Sequence, residues 1–167
     1  MDQAALYDED IYAWSQHQAR VLRGLARADA RLPNDLDLEH VAEEIEDLGN
    51  EQRFQVESTL RQALIHIIKL AVLLADQAVL HWTTEANAFL DTAFDRYRPS
   101  MRQVIDPAKL WSRACRRAAQ DLAGIGHAVP PLPAGLPFAF EDLVNEAADA
   151  QALAAELAAM LGPSPEA

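Results

Sequence analysis

The residues best equipped for chemistry open one amphipathic stretch, Leu36-Asp-Leu-Glu-His-Val-Ala-Glu-Glu-Ile-Glu-Asp-Leu-Gly49. Carboxylates three and four positions apart share one helix face, where they can hold a hard cation or move protons. A carboxylate-bridged di-metal bundle needs Glu-x-x-His on two helices. No glutamate in this chain has a histidine three positions later. Glu43 and Glu46 are three apart and His40 precedes Glu44 by four, so one face offers two ligands where a metal site needs three or more. Glu43, Glu44, Glu46 and His66 are therefore the candidate binding residues, and neither a metal site nor a cofactor is predicted. The competing reading is a solvated acidic face at a helix start, where the dipole favours negative charge.

His66 is the other residue with chemical promise. Ile45, Gln52, Thr59 and His66 recur every seven residues and so form a stripe at the edge of an apolar face. Such a stripe predicts a polar seam that fixes register through buried hydrogen bonds; the alternative is ligand binding or proton transfer by His66. Cys115 lies near Arg113, Arg116 and Arg117, which could lower a thiol pKa. It is the single cysteine, with no partner to resolve an oxidised form, and an inert thiol is expected. No Gly-x-Gly-x-x-Gly, P-loop, Gly-x-Ser-x-Gly or His-Glu-x-x-His occurs. No catalytic residue is assigned.

The elements that would position these groups are helices. Apolar residues recur at steps of three and four from Glu9 to Ala30, with Asp8 as the predicted cap. A second pattern starts after Asp37, its predicted N-cap. It keeps one phase through Leu38, Val41, Ile45, Leu48, Val56, Leu60, Ile67 and Leu74, predicting a helix to about Ala75 that could bend at Gly49. Further helices are predicted over Trp82–Tyr97, with Thr83 or Thr84 as cap, and from Asp106-Pro107 to near Gly124 and Gly126. Val129–Phe140 holds four prolines and a glycine and reads as an extended connection. The last helix is predicted over Glu141–Leu161. Trp14, Trp82 and Trp111 fall on apolar faces and are expected to anchor the core. The fold class is all-α: a single-domain bundle over residues 1–161, about five helices around one long central helix, with a tail over 162–167.

Composition narrows the function classes. The 167 residues are 50% apolar and 24% charged, a soluble globular mix. The most apolar run, Ile67–Leu80, is interrupted by Lys69 and Asp76, so no membrane span is predicted. The start of the chain lacks the features of a signal peptide. With one cysteine, this points to the cytoplasm. A net charge of -12 argues against nucleic-acid binding. Arg96, Arg98, Arg102, Lys109, Arg113, Arg116 and Arg117 nevertheless crowd one third of the chain. They either complement acidic faces within the fold or form a patch for an acidic partner.

Several of these segments together resemble a known family. Tyr7-Asp-x-Asp-x-Tyr-Ala-Trp14, Gln18-Ala-x-Val-Leu-Arg23, the acidic stretch to Gly49, Leu60 and His66-x-x-Lys69 are similar to the bacterial family called domain of unknown function 29. Trp82, Arg98-Pro-Ser-Met-Arg102 and Leu136-Pro-Phe-Ala-Phe-Glu-Asp-Leu143 extend the likeness. The chain departs from the family pattern at Leu70, where a tryptophan is usual, and over Asp76–His81, which lacks the usual basic run. The resemblance implies a compact helical domain and no reaction. The leading functional expectation is a non-enzymatic module that binds a protein partner or a second copy of itself. The alternative is a small-molecule or metal-dependent activity using the acidic helix and His66.

Overall fold

The structure, a computed structural model of the chain, describes residues 3–28, 33, 35–73 and 79–162. Among these, six α-helices and two 3₁₀ helices form the regular structure and no strand occurs. The helices are α1 (Gln3–Glu9), α2 (Ile11–Arg27), α3 (Leu38–Val72), α4 (Val79–Arg96), α5 (Pro107–Gly124) and α6 (Ala150–Leu161). The 3₁₀ helices are Pro99–Gln103 and Phe140–Leu143. The all-α class is therefore the fold class of this protein. No described helix is long and apolar enough to cross a membrane. The expected helix end at Ala30, the residues Leu74 to Asp76 and the tail beyond Gly162 lie outside the described residues.

Contacts group the chain into two compact units. One is Met1–Gln55 with Tyr97–Ile105; the other is Val56–Arg96 with Asp106–Ala167. In the first unit the predicted opening helix is two helices. Asp10 interrupts it with φ -146° and caps α2, its carboxylate accepting from Ala13 N and from the Ser100 hydroxyl at 2.8 Å. The cap is thus Asp10 and not Asp8, chosen by a partner 90 residues away in sequence. Tyr7 packs edge-on against Trp14, with ring centroids 4.8 Å apart.

α3 runs unbroken for 35 residues, about 50 Å at the usual rise. Its Asp37 side chain accepts from His40 N, as the sequence predicts for a cap. Gly49 lies inside continuous helix. A methyl group placed there would sit 2.0 Å from Ser15 Oγ and 3.3 Å from Tyr12 Cα. Its role is to let α2 approach α3 closely. In this half of α3 only Leu38, Ala42 and Gly49 are buried; Ile45 is half-buried, while Val41 and Leu48 are exposed. The apolar stripe read from the sequence is wider than the face the first unit covers.

The second unit buries α3 on several sides. Leu60, Ala63, Leu64, Ile65, Ile67, Ile68 and Leu70 are all buried, as expected where a helix turns apolar nearly all round. Each large side chain contributes about 1.5–3 kcal/mol by leaving water. α4 adds Ala86, Leu90 and Ala93, and α5 adds Trp111, Ala114, Ala118 and Leu122. Thr83 and Thr84 lie inside α4, not at its cap; their hydroxyls donate to Val79 O and Leu80 O one turn back. Asp106 caps α5 through Ala108 N and Lys109 N. α5 ends in a Schellman turn. Gly126 has φ +84°, and His127 N and Gly126 N donate to Leu122 O and Ala123 O. The predicted last helix is shorter than its pattern. Phe140–Leu143 forms a 3₁₀ turn, Asn145 Oδ1 takes Ala147 N, and α6 starts only after Asp149, which caps Ala152 N. Asn87 Oδ1 on α4 accepts Ala150 N at 2.8 Å and ties the start of α6 down. Of the three tryptophans, Trp111 alone is a core residue; Trp14 and Trp82 are half-buried.

Candidate functional site

The second unit carries a polar cleft of about 720 Å³. α3 lines it with Arg61, Gln62, Ile65, His66 and Lys69; α5 lines it with Arg113, Arg116, Arg117, Gln120 and Asp121. Both sets recur at helical steps, so each is one face of its helix. Five fixed cations meet one carboxylate. That carboxylate is fully engaged: Lys69 Nζ lies 2.6 Å from Asp121 Oδ2 and Arg117 Nε 2.9 Å from Oδ1. Burial pushes the Asp121 carboxyl up, but Lys69 and Arg117 outweigh it and hold it below the usual carboxylate range. Arg61 donates to Ser58 Oγ at 3.2 Å. Among the described residues Arg61, Arg113 and Arg116 have no carboxylate partner.

His66 sits on the cleft wall with its ring stacked on Phe89, centroids 5.8 Å apart. Its Nδ1 is buried with no hydrogen-bond partner. Its Nε2 is 3.6 Å from Glu85 Oε2, too long for a hydrogen bond. Burial lowers its pKa, Lys69 adds to this, and Glu85 only partly opposes them. The ring is therefore neutral at pH 7. The buried hydrogen bonds expected of a polar seam do not hold His66; stacking does.

Two predictions follow from that environment. The folded pKa lies below the ordinary 6.5, so the unfolded chain binds the proton first as pH falls. The stabilisation is complete above 6.5 and is lost as pH drops below it. His66→Ala removes the stacked ring and should lower the urea midpoint, at a cost of about 1–3 kcal/mol. His66→Phe keeps a ring and removes the orphaned nitrogen; it should match or exceed wild type and show a shallower loss of stability below pH 6.5. A His66→Phe midpoint well below wild type would show that the imidazole nitrogens contribute to the fold.

The acidic candidates stand elsewhere. Glu46 accepts from Arg23 Nη2 at 2.6 Å and Glu39 from Arg23 Nε at 3.3 Å, while Glu43 and Glu44 are exposed. The carboxylates thus pair within the first unit or face solvent. His40 Nδ1 bonds Asp37, so this Asp-x-x-His spacing reinforces the α3 cap. Glu46 belongs to the first unit and His66 to the second. Among the described residues no three His, Cys, Asp or Glu side chains converge as a metal set. Glu44, Asp47 and Glu51 instead border a groove of about 410 Å³ with Leu48 and Phe54, the latter 55% exposed.

Cys115 lies on α5 and is half-buried. Burial pushes its thiol up to about 11, so the neighbouring arginines do not activate it. Alkylation by iodoacetamide at pH 8 should run roughly a hundredfold slower than for a thiol of ordinary pKa 9.0, following the thiolate fraction. A rate near that of the free thiol would show that the burial is transient.

Sequence reasoning marked Arg113, Arg116 and Arg117 as a basic run but missed Arg61, Gln62 and Lys69 as their counterparts. Only the pairing of α3 with α5 brings the two faces together. The fold is all-helical, and its second unit carries this cationic cleft between α3 and α5. The profile described as Domain of unknown function DUF29 matches residues 6–148, and the chain belongs to that family. It is also similar to an α-helical protein of unknown function from Rhodospirillum rubrum, known from a crystal structure. The TM-score is 0.84 at 33% identity, covering 94% of this chain and 98% of that one. No match is found among curated proteins.

Proposed function

We propose that this protein is a non-enzymatic, cytoplasmic interaction module whose cationic cleft receives an anionic segment of a partner protein or of a second copy. The observation that carries this reading is the trio Arg61, Arg113 and Arg116, which have no carboxylate partner among the described residues, in a chain of net charge -12. Guanidinium forks bind carboxylates and phosphates in paired, directional hydrogen bonds, and their burial under a partner strengthens them. The cleft lining pairs no nucleophile with a base: its His66 is neutral and stacked, and Cys115, outside the lining, is held protonated. That chemistry suits holding an anion and does not suit turning over a substrate. The charge-reversed double variant Arg113→Glu/Arg116→Glu tests the reading. Affinity capture from the native host should recover a partner with wild type and lose it with the variant. An unchanged partner set would place the interaction elsewhere on the molecule.

A second reading has one observation behind it. The buried Nδ1 of His66 has no protein partner and belongs to a cleft-lining residue. A small molecule donating or accepting there would recruit His66 as a ligand-binding group. Thermal stabilisation of wild type by a metabolite, lost in His66→Phe but not in Arg116→Glu, would favour it.

A further inference from the structure

Resting on the reading of the cleft as an anion-receiving site, we propose that its occupant is an extended acidic peptide segment with acidic side chains at alternate positions, rather than a single anion. Length is the first reason. On α3 the lining runs from Arg61 to Lys69 and on α5 from Arg113 to Asp121, each about 12 Å by helix rise. One phosphate or carboxylate engages only part of that span. An extended chain advances about 3.3 Å per residue, so four residues fill it, and alternate side chains point to the same side about 7 Å apart.

Charge distribution is the second reason. Lys69 and Arg117 already share Asp121, which leaves the guanidiniums of Arg61, Arg113 and Arg116 to be matched. Two helices carry them, and two or three spaced carboxylates match them better than one. The third reason is the pair of carboxamides, Gln62 and Gln120, both exposed on the lining. A carboxamide donates and accepts. A phosphate chain offers acceptors only and would leave both amide oxygens idle. A peptide amide matches both groups, and only an extended segment has free backbone amides, since a helix uses its own.

The test uses the full chain and two fluorescent hexapeptides, Glu-Ala-Glu-Ala-Glu-Ala and Glu-Glu-Glu-Ala-Ala-Ala, of equal composition and charge. Anisotropy titrations are made at low ionic strength, where screening is weak. The alternating peptide should bind about tenfold more tightly. Gln62→Ala/Gln120→Ala should erase most of that preference, and Arg113→Glu/Arg116→Glu should abolish binding of both peptides. These side chains line the cleft from exposed or partly exposed positions, and unchanged far-ultraviolet dichroism will show that the variants fold. Equal affinity for the two peptides, or stronger binding of tripolyphosphate than of the alternating peptide, overturns the proposal while leaving an anion site. Binding of none of the three probes overturns the cleft reading itself.

Discussion

Trp111→Ala should cost the protein about 3–5 kcal/mol, the largest loss expected from a single truncation in the second unit. Trp111 is 1% exposed, and its indole packs edge-on to Phe138 with centroids 6.4 Å apart. Its Nε1 donates to Pro133 O at 2.8 Å. That bond reaches a segment, residues 127–139, with no regular secondary structure of its own. Four prolines there remove backbone donors, so side chains must hold it. The alanine variant leaves a cavity and also frees a carbonyl that Trp111 satisfied. Trp111→Phe keeps most of the apolar area and loses the hydrogen bond, so its cost should be smaller, about 1–2 kcal/mol. Urea unfolding followed by dichroism measures both. Limited proteolysis adds a local readout: cleavage within 128–137 should accelerate in both variants. An alanine variant with the wild-type midpoint would mean that the indole does not anchor this segment.

The sequence made the helical class and the course of α3 legible because both rest on periodicity, which a helix needs to bury one side. Asp37 and Asp106-Pro107 were equally legible, since each cap bonds backbone amides two or three residues on. Caps chosen by distant partners were not. Asp8 and Asp10 are chemically alike, and a hydroxyl at Ser100 distinguishes them. Glu141 and Asp149 both precede apolar runs, and Asn87, on another helix, favours the later start. Thr83 and Thr84 looked like caps because threonine serves there; inside α4 they bond one turn back instead. The breadth of the apolar stripe misled for a related reason. Val41 and Leu48 have the phase of a core but no neighbour to cover them, being 39% and 42% exposed. The candidate site divides the same way. Arginines at 113, 116 and 117 are visible as a run, whereas Arg61 and Lys69 acquire meaning only from the helix across the cleft. His66 was singled out by its spacing, and its stacking on Phe89 is a tertiary fact that no spacing encodes.

Gly49 shows how far a local rule can point away from the answer. Glycine in a helix interior costs about 1 kcal/mol relative to alanine, so local propensity alone predicts that Gly49→Ala stabilises. The expected result is the opposite, a net loss of about 2–3 kcal/mol, with a melting temperature lower by roughly 4–12 °C. The new methyl group meets Ser15 Oγ at 2.0 Å, Ser15 Cβ at 3.1 Å and Tyr12 Cα at 3.3 Å. Ser15 is fully buried and its hydroxyl donates to Tyr12 O, so it cannot swing aside without losing that bond. The Tyr12 Cα belongs to the backbone, and α2 must move as a body to make room. Gly24→Ala is the internal control. A Cβ there meets nothing within 4 Å, and the substitution should stabilise by about 0.5–1 kcal/mol. Ser15→Ala removes the atom closest to the new methyl. The double variant Ser15→Ala/Gly49→Ala should therefore recover at least half of the loss, a coupling of about 1–2 kcal/mol in a double-mutant cycle. A stabilised Gly49→Ala variant, or a cycle with no coupling, would show that α2 and α3 do not meet at this glycine.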